Sequence, residues 1–220
     1  MNLSARFSFR LKQSTLKILF PLLFSLPLIS CATSRAETAF SPVYVTNTSK
    51  YAILQPVAME GSVDGIQRMN ASFGEQSFDF DVYVISDSTQ LSMTILNEFG
   101  TTLGSLFYDG AHLEFDSAVF PKKLKAEYIV ADFQFCLYNA EELKPALAKI
   151  GVDFEVSGEK EAGGTFTEKR ILRKDGKIIA KITKNYKNED DAASDGKKLN
   201  SIHYENLLRG YAYTLTGVEE

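Results

Sequence analysis

The side chains able to do chemistry in this chain are few and scattered. Its two cysteines are Cys31 and Cys136, and its two histidines are His112 and His203. A structural zinc site takes about four Cys or His ligands in compact spacing, and no such spacing surrounds any of these residues. A Ser-His-Asp site can assemble from distant sequence, but no strand-Ser-helix elbow is present. Both histidines therefore read as surface residues. Asp190, Asp191 and Asp195 fall in one polar stretch. They lack the alternation and closing glutamate of a calcium loop, which makes them a solvated turn. Asp132 and Gln134 interrupt an apolar helical segment. They read either as polar recognition at a cavity mouth or as solvated or backbone-bonded groups. The apolar stripe of that helix excludes both, which favours the second reading. No cofactor or metal is implied.

Cys31 is the residue with the clearest chemistry. A basic segment (Arg6, Arg10, Lys12, Lys17) and an apolar one (Ile18 to Ile29) precede it. This is the layout of a secretory signal peptide. The run Leu28-Ile29-Ser30-Cys31 resembles the lipobox of bacterial lipoproteins, which implies cleavage before Cys31 and acylation of its thiol. Two other readings stay open: an ordinary signal cut after Ala36, and an uncleaved anchor. The anchor reading is short, because Pro21 and Pro27 break a run of about a dozen residues where a span needs about 20. Ala32 follows the cysteine where aspartate favours inner-membrane retention. The expected address is the periplasmic face of the outer membrane, reached through the lipid anchor.

Charge narrows the partners. Residues 1–30 hold four basic and no acidic residues, so the remainder carries 20 basic against 28 acidic residues, a net charge of −8. An acidic surface repels phosphate backbones, which excludes nucleic acid as a partner, and disfavours electrostatic attachment to anionic headgroups. With Cys31 acylated, Cys136 has no partner for a disulfide, and the core alone must hold the fold. The absence of Trp beside 16 Phe and 10 Tyr makes these the aromatic bulk of that core or of a cavity.

The elements that position these residues follow from periodicity. Residues 1–30 read as signal, 31–50 as lipidated N-terminus and flexible tether, and 51–220 as one domain. From Ile66 a period of two sets in: Phe78, Phe80, Val82 and Val84 alternate with Asp79, Asp81 and Tyr83. Leu91, Met93 and Ile95 repeat the pattern. Leu103 to Tyr108 and Leu113 to Val119 follow, joined by Asp109-Gly110 read as a two-residue turn, giving a five-strand meander. After Pro121 the period becomes helical, with Leu124, Tyr128, Ala131, Phe135 and Tyr138 on one face. Asn139 opens a second helix, Pro145 is expected to kink it or delay its start, and Gly151 closes it. Strands return at Val152 to Val156, Thr165 to Lys174, Lys177 to Tyr186, Leu199 to Glu205 and Tyr211 to Thr216. Asp175-Gly176 is the strongest hairpin signal. The order predicts an α+β domain, a curved antiparallel sheet with helices covering one face.

The apolar strand faces admit two readings with the same alternation. Phe78, Phe80, Leu91, Met93, Ile95, Leu106, Leu113 and the helical Phe135 either line a cavity or fill a core. Phe99, in the turn Asn97-Glu98-Phe99-Gly100, either packs back on its sheet or stands exposed, where it would meet membrane or incoming ligand.

The layout resembles the LolA/LolB lipoprotein carrier and receptor fold, an unclosed antiparallel barrel covered by a helical lid. More closely, it resembles a family of bacterial outer-membrane lipoproteins associated with gene clusters for aryl polyene lipids. The matching segments are Leu106-Phe107-Tyr108-Asp109-Gly110, Ile129-Val130-Ala131-Asp132-Phe133-Gln134-Phe135, Arg170-Ile171-Leu172 and Gly210-Tyr211-Ala212-Tyr213. Tyr138 stands where those relatives tend to carry tryptophan. The resemblance implies a non-enzymatic protein that binds a lipid or acyl/polyene chain in an apolar cavity. It would help transport or insert that chain at the outer membrane, together with envelope transport proteins. The contrasting expectation is a structural or assembly lipoprotein with a packed core that binds an envelope protein.

Overall fold

A computed structural model describes residues 40–120, 124–160, 165–188 and 197–218. Cys31, the signal segment and Asp190, Asp191 and Asp195 lie outside the described residues. Two short strands come first, β1 (Val43–Tyr44) and β2 (Lys50–Tyr51). The predicted meander follows as β3 (Val63–Phe73), β4 (Gln76–Ser86), β5 (Leu91–Leu96), β6 (Thr102–Tyr108) and β7 (Leu113–Ser117). Helices α1 (Ala126–Leu137) and α2 (Ala140–Ala148) come next. Strands β8 (Asp153–Lys160), β9 (Phe166–Lys174), β10 (Lys177–Asn188), β11 (Lys197–Asn206) and β12 (Tyr211–Gly217) complete the described chain.

Strands β3 to β12 form one unclosed antiparallel sheet in the order β7-β6-β5-β4-β3-β12-β11-β10-β9-β8. The two meanders are joined at the centre, where β12 returns to pair with β3 from Tyr211↔Phe73 to Gly217↔Gln67. The helices carry the chain from one edge strand, β7, to the other, β8. Helix α1 touches β7 and also β10 and β11, so the sheet curves around it. Alternation puts Val82, Val84, Leu91, Met93 and Ile95 into the core under α1. Tyr83 and Arg68 face outward, where they bond Asp64 and Asp81.

The turns show which local signals were sufficient. Asp175 and Gly176 both take positive φ, 50° and 76°, between the paired Lys174 and Lys177. This is the left-handed pair a two-residue turn requires. Asp109-Gly110 does not make such a turn. Tyr108 pairs with Leu113, so the loop has four residues, and the Asp109 carboxylate accepts from the N–H groups of Ala111 and His112. An aspartate side chain that satisfies its own turn competes with the tight hairpin. Gly110 takes a positive φ of 91°, which favours glycine, and a Cβ there would meet the Gln55 side chain.

Asn139 caps α2 by accepting from Glu141 N, 2.9 Å, and Gly151 closes it with its N–H on Ala148 O. Pro145 sits inside α2 without delaying its start at Ala140.

The tether expectation needs correction at its C-terminal end. Val43 and Tyr51 are buried, and residues 43–60 pack over the back of α1. The Tyr51 hydroxyl donates to Gln134 Oε1 (2.8 Å), as does Leu54 N (2.9 Å), and Gln134 Nε2 donates to Leu54 O (2.7 Å). The Gln134 amide thus pairs with Leu54 as a strand residue would. This explains why α1 is buried on nearly every side from Val130 to Leu137 rather than along the single stripe its periodicity suggested. Small polar residues around a short hairpin carry no apolar period, so composition alone read this segment as linker.

Candidate ligand cavity

A cavity of about 460 Å³ lies between α1 and the concave face of the sheet, a size within the range of pockets that bury small ligands. Its floor comes from β3 (Met69, Ala71, Phe73), β5 (Met93), and β9 and β10 (Leu172, Ile179, Ala180). Its roof is the face of α1 carrying Tyr128, Ile129, Asp132 and Phe133, and β1 closes one side. A second space of about 190 Å³, lined by Phe78, Phe80, Val119 and Gln76, adjoins it and shares Phe73, Phe120 and Leu124.

A row of aromatic rings links the two. Phe133 stacks on Tyr213, Tyr213 on Tyr204, and Tyr204 meets Tyr211. Tyr211 stacks on Phe73, whose edge meets Phe78, which stacks on Phe80. Adjacent centroids lie between 5.1 and 6.2 Å apart, within the range for favourable aromatic pairs. The strand period explains the row. Tyr211 and Tyr213 alternate on β12, and Tyr204 lies opposite Tyr213 on β11.

Asp132 is the carboxylate of this cavity. It is half-buried and lines the cavity. The Tyr211 hydroxyl donates to Asp132 Oδ2 at 2.7 Å. Asn206 Nδ2 donates to both the Tyr204 and Tyr211 hydroxyls at 3.2 Å. Desolvation pushes the Asp132 carboxyl up to about 7, against the opposing effect of hydrogen bonds from Tyr211 and Tyr204. Burial likewise pushes the Tyr211 and Tyr204 hydroxyls far above their usual range, so both are donors at any physiological pH. The expectation for Asp132 is thus corrected, because it lines the cavity and bonds the Tyr211 side chain. For Gln134 the backbone-bonded reading holds.

A family model described as a protein of unknown function (DUF3261) matches residues 65–219. The chain belongs to the DUF3261 family. No curated protein matches it. In this DUF3261 protein the matched region holds all ten strands of the large sheet but for the first two residues of β3, and both helices.

Of the predicted lining residues, Met93 and Phe135 face the larger cavity, and Phe78 and Phe80 the smaller. Leu91, Ile95 and Leu106 are instead buried core, and Leu113 packs against that core; they line neither space. Their alternation is the same, but they belong to the packed cluster of the core.

His112 is exposed and pairs with Asp109, 2.9 Å away. His203 is exposed with Nδ1 2.9 Å from Thr214 Oγ1. Cys136 is buried, with Sγ 3.6 Å from the Tyr213 hydroxyl. Burial pushes its thiol up to about 12, which leaves it inert. Among the described residues no cluster of three His, Cys, Asp or Glu side chains is placed to hold a metal ion.

The sequence reading missed a buried charge cluster that fixes α1 over the cavity. Arg170 is 1% exposed. Its Nη1 donates to Phe135 O (3.2 Å) and Tyr138 O (2.6 Å), at the C-terminus of α1. Its Nη2 reaches Glu60 (2.8 Å) and its Nε reaches Glu168 (2.6 Å). The buried Lys184 lies 3.1 Å from Glu168. Burial opposes ionisation of Glu168, but Lys184 and Arg170 outweigh it and hold the carboxyl below its usual range. Two cations and two carboxylates thereby balance where single charges would be strongly destabilising. The available signal was the alternation of Glu168, Arg170 and Leu172, which put two charged residues on a buried face.

Phe99 is 83% exposed at its hairpin tip. The turn is held without its ring, because Asn97 Oδ1 accepts from Phe99 N and Thr101 N at 2.9 Å. Phe99→Glu is therefore expected to shift the Tm by no more than about 2 °C, the range for a surface substitution. A fall of many degrees in a thermal melt would show that the ring is structural.

Proposed function

We propose that this DUF3261 protein is a non-enzymatic, lipid-anchored outer-membrane protein that holds a lipid or acyl/polyene chain and helps its transport or insertion. The observation carrying this reading is the aromatic-walled cavity between α1 and the sheet. The Cys31 lipobox and the unclosed sheet with its helical cover support it, and the likeness to LolA/LolB extends it to envelope transport partners. Shielding a chain from water stabilises the complex by about 0.8 kcal/mol per buried methylene, so transfer needs no catalytic group. Flat ring faces suit either an alkyl or a conjugated chain. Phe99, outside the cavity, is the residue we assign to membrane contact during delivery.

Native mass spectrometry of full-length protein released gently from membranes tests this directly. The expected spectrum shows diacylglyceryl mass on an N-terminal Cys31 and a further non-covalent lipid. Met93→Asp should lose the second mass and keep the first, because a charge in the cavity floor would be desolvated by the ligand. Ala71→Phe, which fills the space without adding charge, should do the same. A wild-type mass with no lipid, together with a bound envelope protein, would replace the carrier by an assembly subunit.

A further inference from the structure

The cavity mouth carries a charge pattern opposite to that of the whole chain. The lining residues include one carboxylate, Asp132, and two cations, Lys125 and Arg209. Lys125 directly precedes α1, two helical turns before Asp132, and Tyr128 lies between them. Tyr128 Oη accepts from Tyr44 N at 3.3 Å. Tyr44 O in turn accepts from Arg209 Nη2 at 3.2 Å. A third cation, Lys50, places Nζ 5.4 Å from the centroid of the Tyr44 ring. Arg209 and Lys50 thus both meet Tyr44, whose backbone bonds Tyr128, one helical turn after Lys125; Lys125 and Arg209 line the cavity and Lys50 stands beside it. All three are exposed, and among the described residues none of them has a carboxylate partner. Unpaired cations beside an apolar space, in a chain whose net charge is negative, are complementary to an amphiphile with a negative end.

We propose that this mouth binds the anionic head of a single-chain amphiphile, a carboxylate or phosphate held by Lys125, Arg209 and Lys50 with its chain along the aromatic row. The inference rests on the carrier reading above and adds the chemistry of the head. Asp132 does not cancel the two lining cations at neutral pH, because burial keeps a large share of its carboxyl protonated. In that form it also offers the head a hydrogen bond. Arg209 supplies a planar fork suited to either oxyanion. No bond is made or broken, so binding and release are reversible.

The test compares heads on one chain length. Full-length protein in zwitterionic nanodiscs is titrated with dodecanoate, dodecyl phosphate and dodecanol, each corrected against empty nanodiscs. Wild type is expected to bind the two anionic ligands at least about tenfold more tightly than the alcohol, the scale of one charge-assisted hydrogen bond. Lys125→Gln with Arg209→Gln should bring the three within about twofold while leaving dodecanol affinity and the melt unchanged, since both side chains are exposed. Millimolar inorganic phosphate should not displace dodecanoate, and displacement would overturn the need for a chain. Equal affinities in wild type, or a preference that survives the double substitution, would overturn the head assignment and leave the carrier intact. Failure of all three to bind would overturn the carrier reading and this one with it. Charge-dependent binding to nanodiscs of anionic lipid, with no competition from dodecanoate, would instead make the mouth a membrane-docking surface.

Discussion

Arg170→Met is expected to destabilise the domain by about 3–5 kcal/mol, the range for removing one partner of a buried charge cluster. Three losses coincide. The carbonyls of Phe135 and Tyr138 lose their donor, the negative end of α1 loses its facing cation, and Lys184 is left alone with Glu60 and Glu168. Against a typical total stability of about 5–15 kcal/mol, this corresponds to a fall in Tm on the order of 10 °C for a domain of this size. Arg170→Lys should recover only part of the loss, since an ammonium cannot span two carbonyls and two carboxylates with a planar fork. Chemical and thermal unfolding of both variants would measure this. A change below about 1 kcal/mol for Met would mean that α1 is held by packing alone, without help from the cluster.

Asp132→Asn is expected to change the pH dependence of stability more than any other single substitution in the cavity. The folded carboxyl titrates near 7, whereas an unfolded aspartate titrates near 3.9. Between these values the unfolded chain has released its proton and the folded chain still holds it. Stability from this residue is therefore fully present below the unfolded value and is lost as pH rises toward 7. Three units correspond to on the order of 4 kcal/mol. Asparagine offers Tyr211 the same acceptor and cannot ionise. The variant's stability relative to wild type should therefore improve steadily from pH 4 to pH 7.5 and then level off. Its amide hydrogens face the cavity and reduce its stability by a roughly constant amount, which shifts the difference curve without changing its slope. Parallel curves for the two proteins would mean that Asp132 is ionised in the folded state, and the cavity would then be wetter than its walls imply.

Most of the architecture was legible because it rests on local rules. Val82 and Val84 alternate with Tyr83 on β4, and they are buried while Tyr83 is exposed. Asp175-Gly176 makes the hairpin its residue types demand. Asn139 and Gly151 bound α2 by side-chain and backbone hydrogen bonds. One miss is local, because Asp109 completes its own loop and so lengthens the turn. The others arose where a side chain answers to a distant partner: the segment read as tether pairs with Gln134, 80 residues later, and Arg170 reaches carbonyls 32 and 35 residues away.

The cavity itself marks the boundary between the two kinds of information. Period and turn chemistry determine that β3 to β7, α1, α2 and β8 to β12 exist and that one face of each is apolar. They do so because side-chain direction along a strand or helix is set by the backbone within a few residues. Whether two apolar faces meet or stand apart depends on spacing set elsewhere. Here Arg170 holds the end of α1, residues 43–60 pack against it, and the pairing of β12 with β3 joins the two meanders into one sheet. Leu91 and Met93 share one strand face, yet Leu91 is core and Met93 borders open space. That difference, like the approach of Arg209 to Tyr44, comes from tertiary contacts alone, since no local rule relates residues so far apart in sequence.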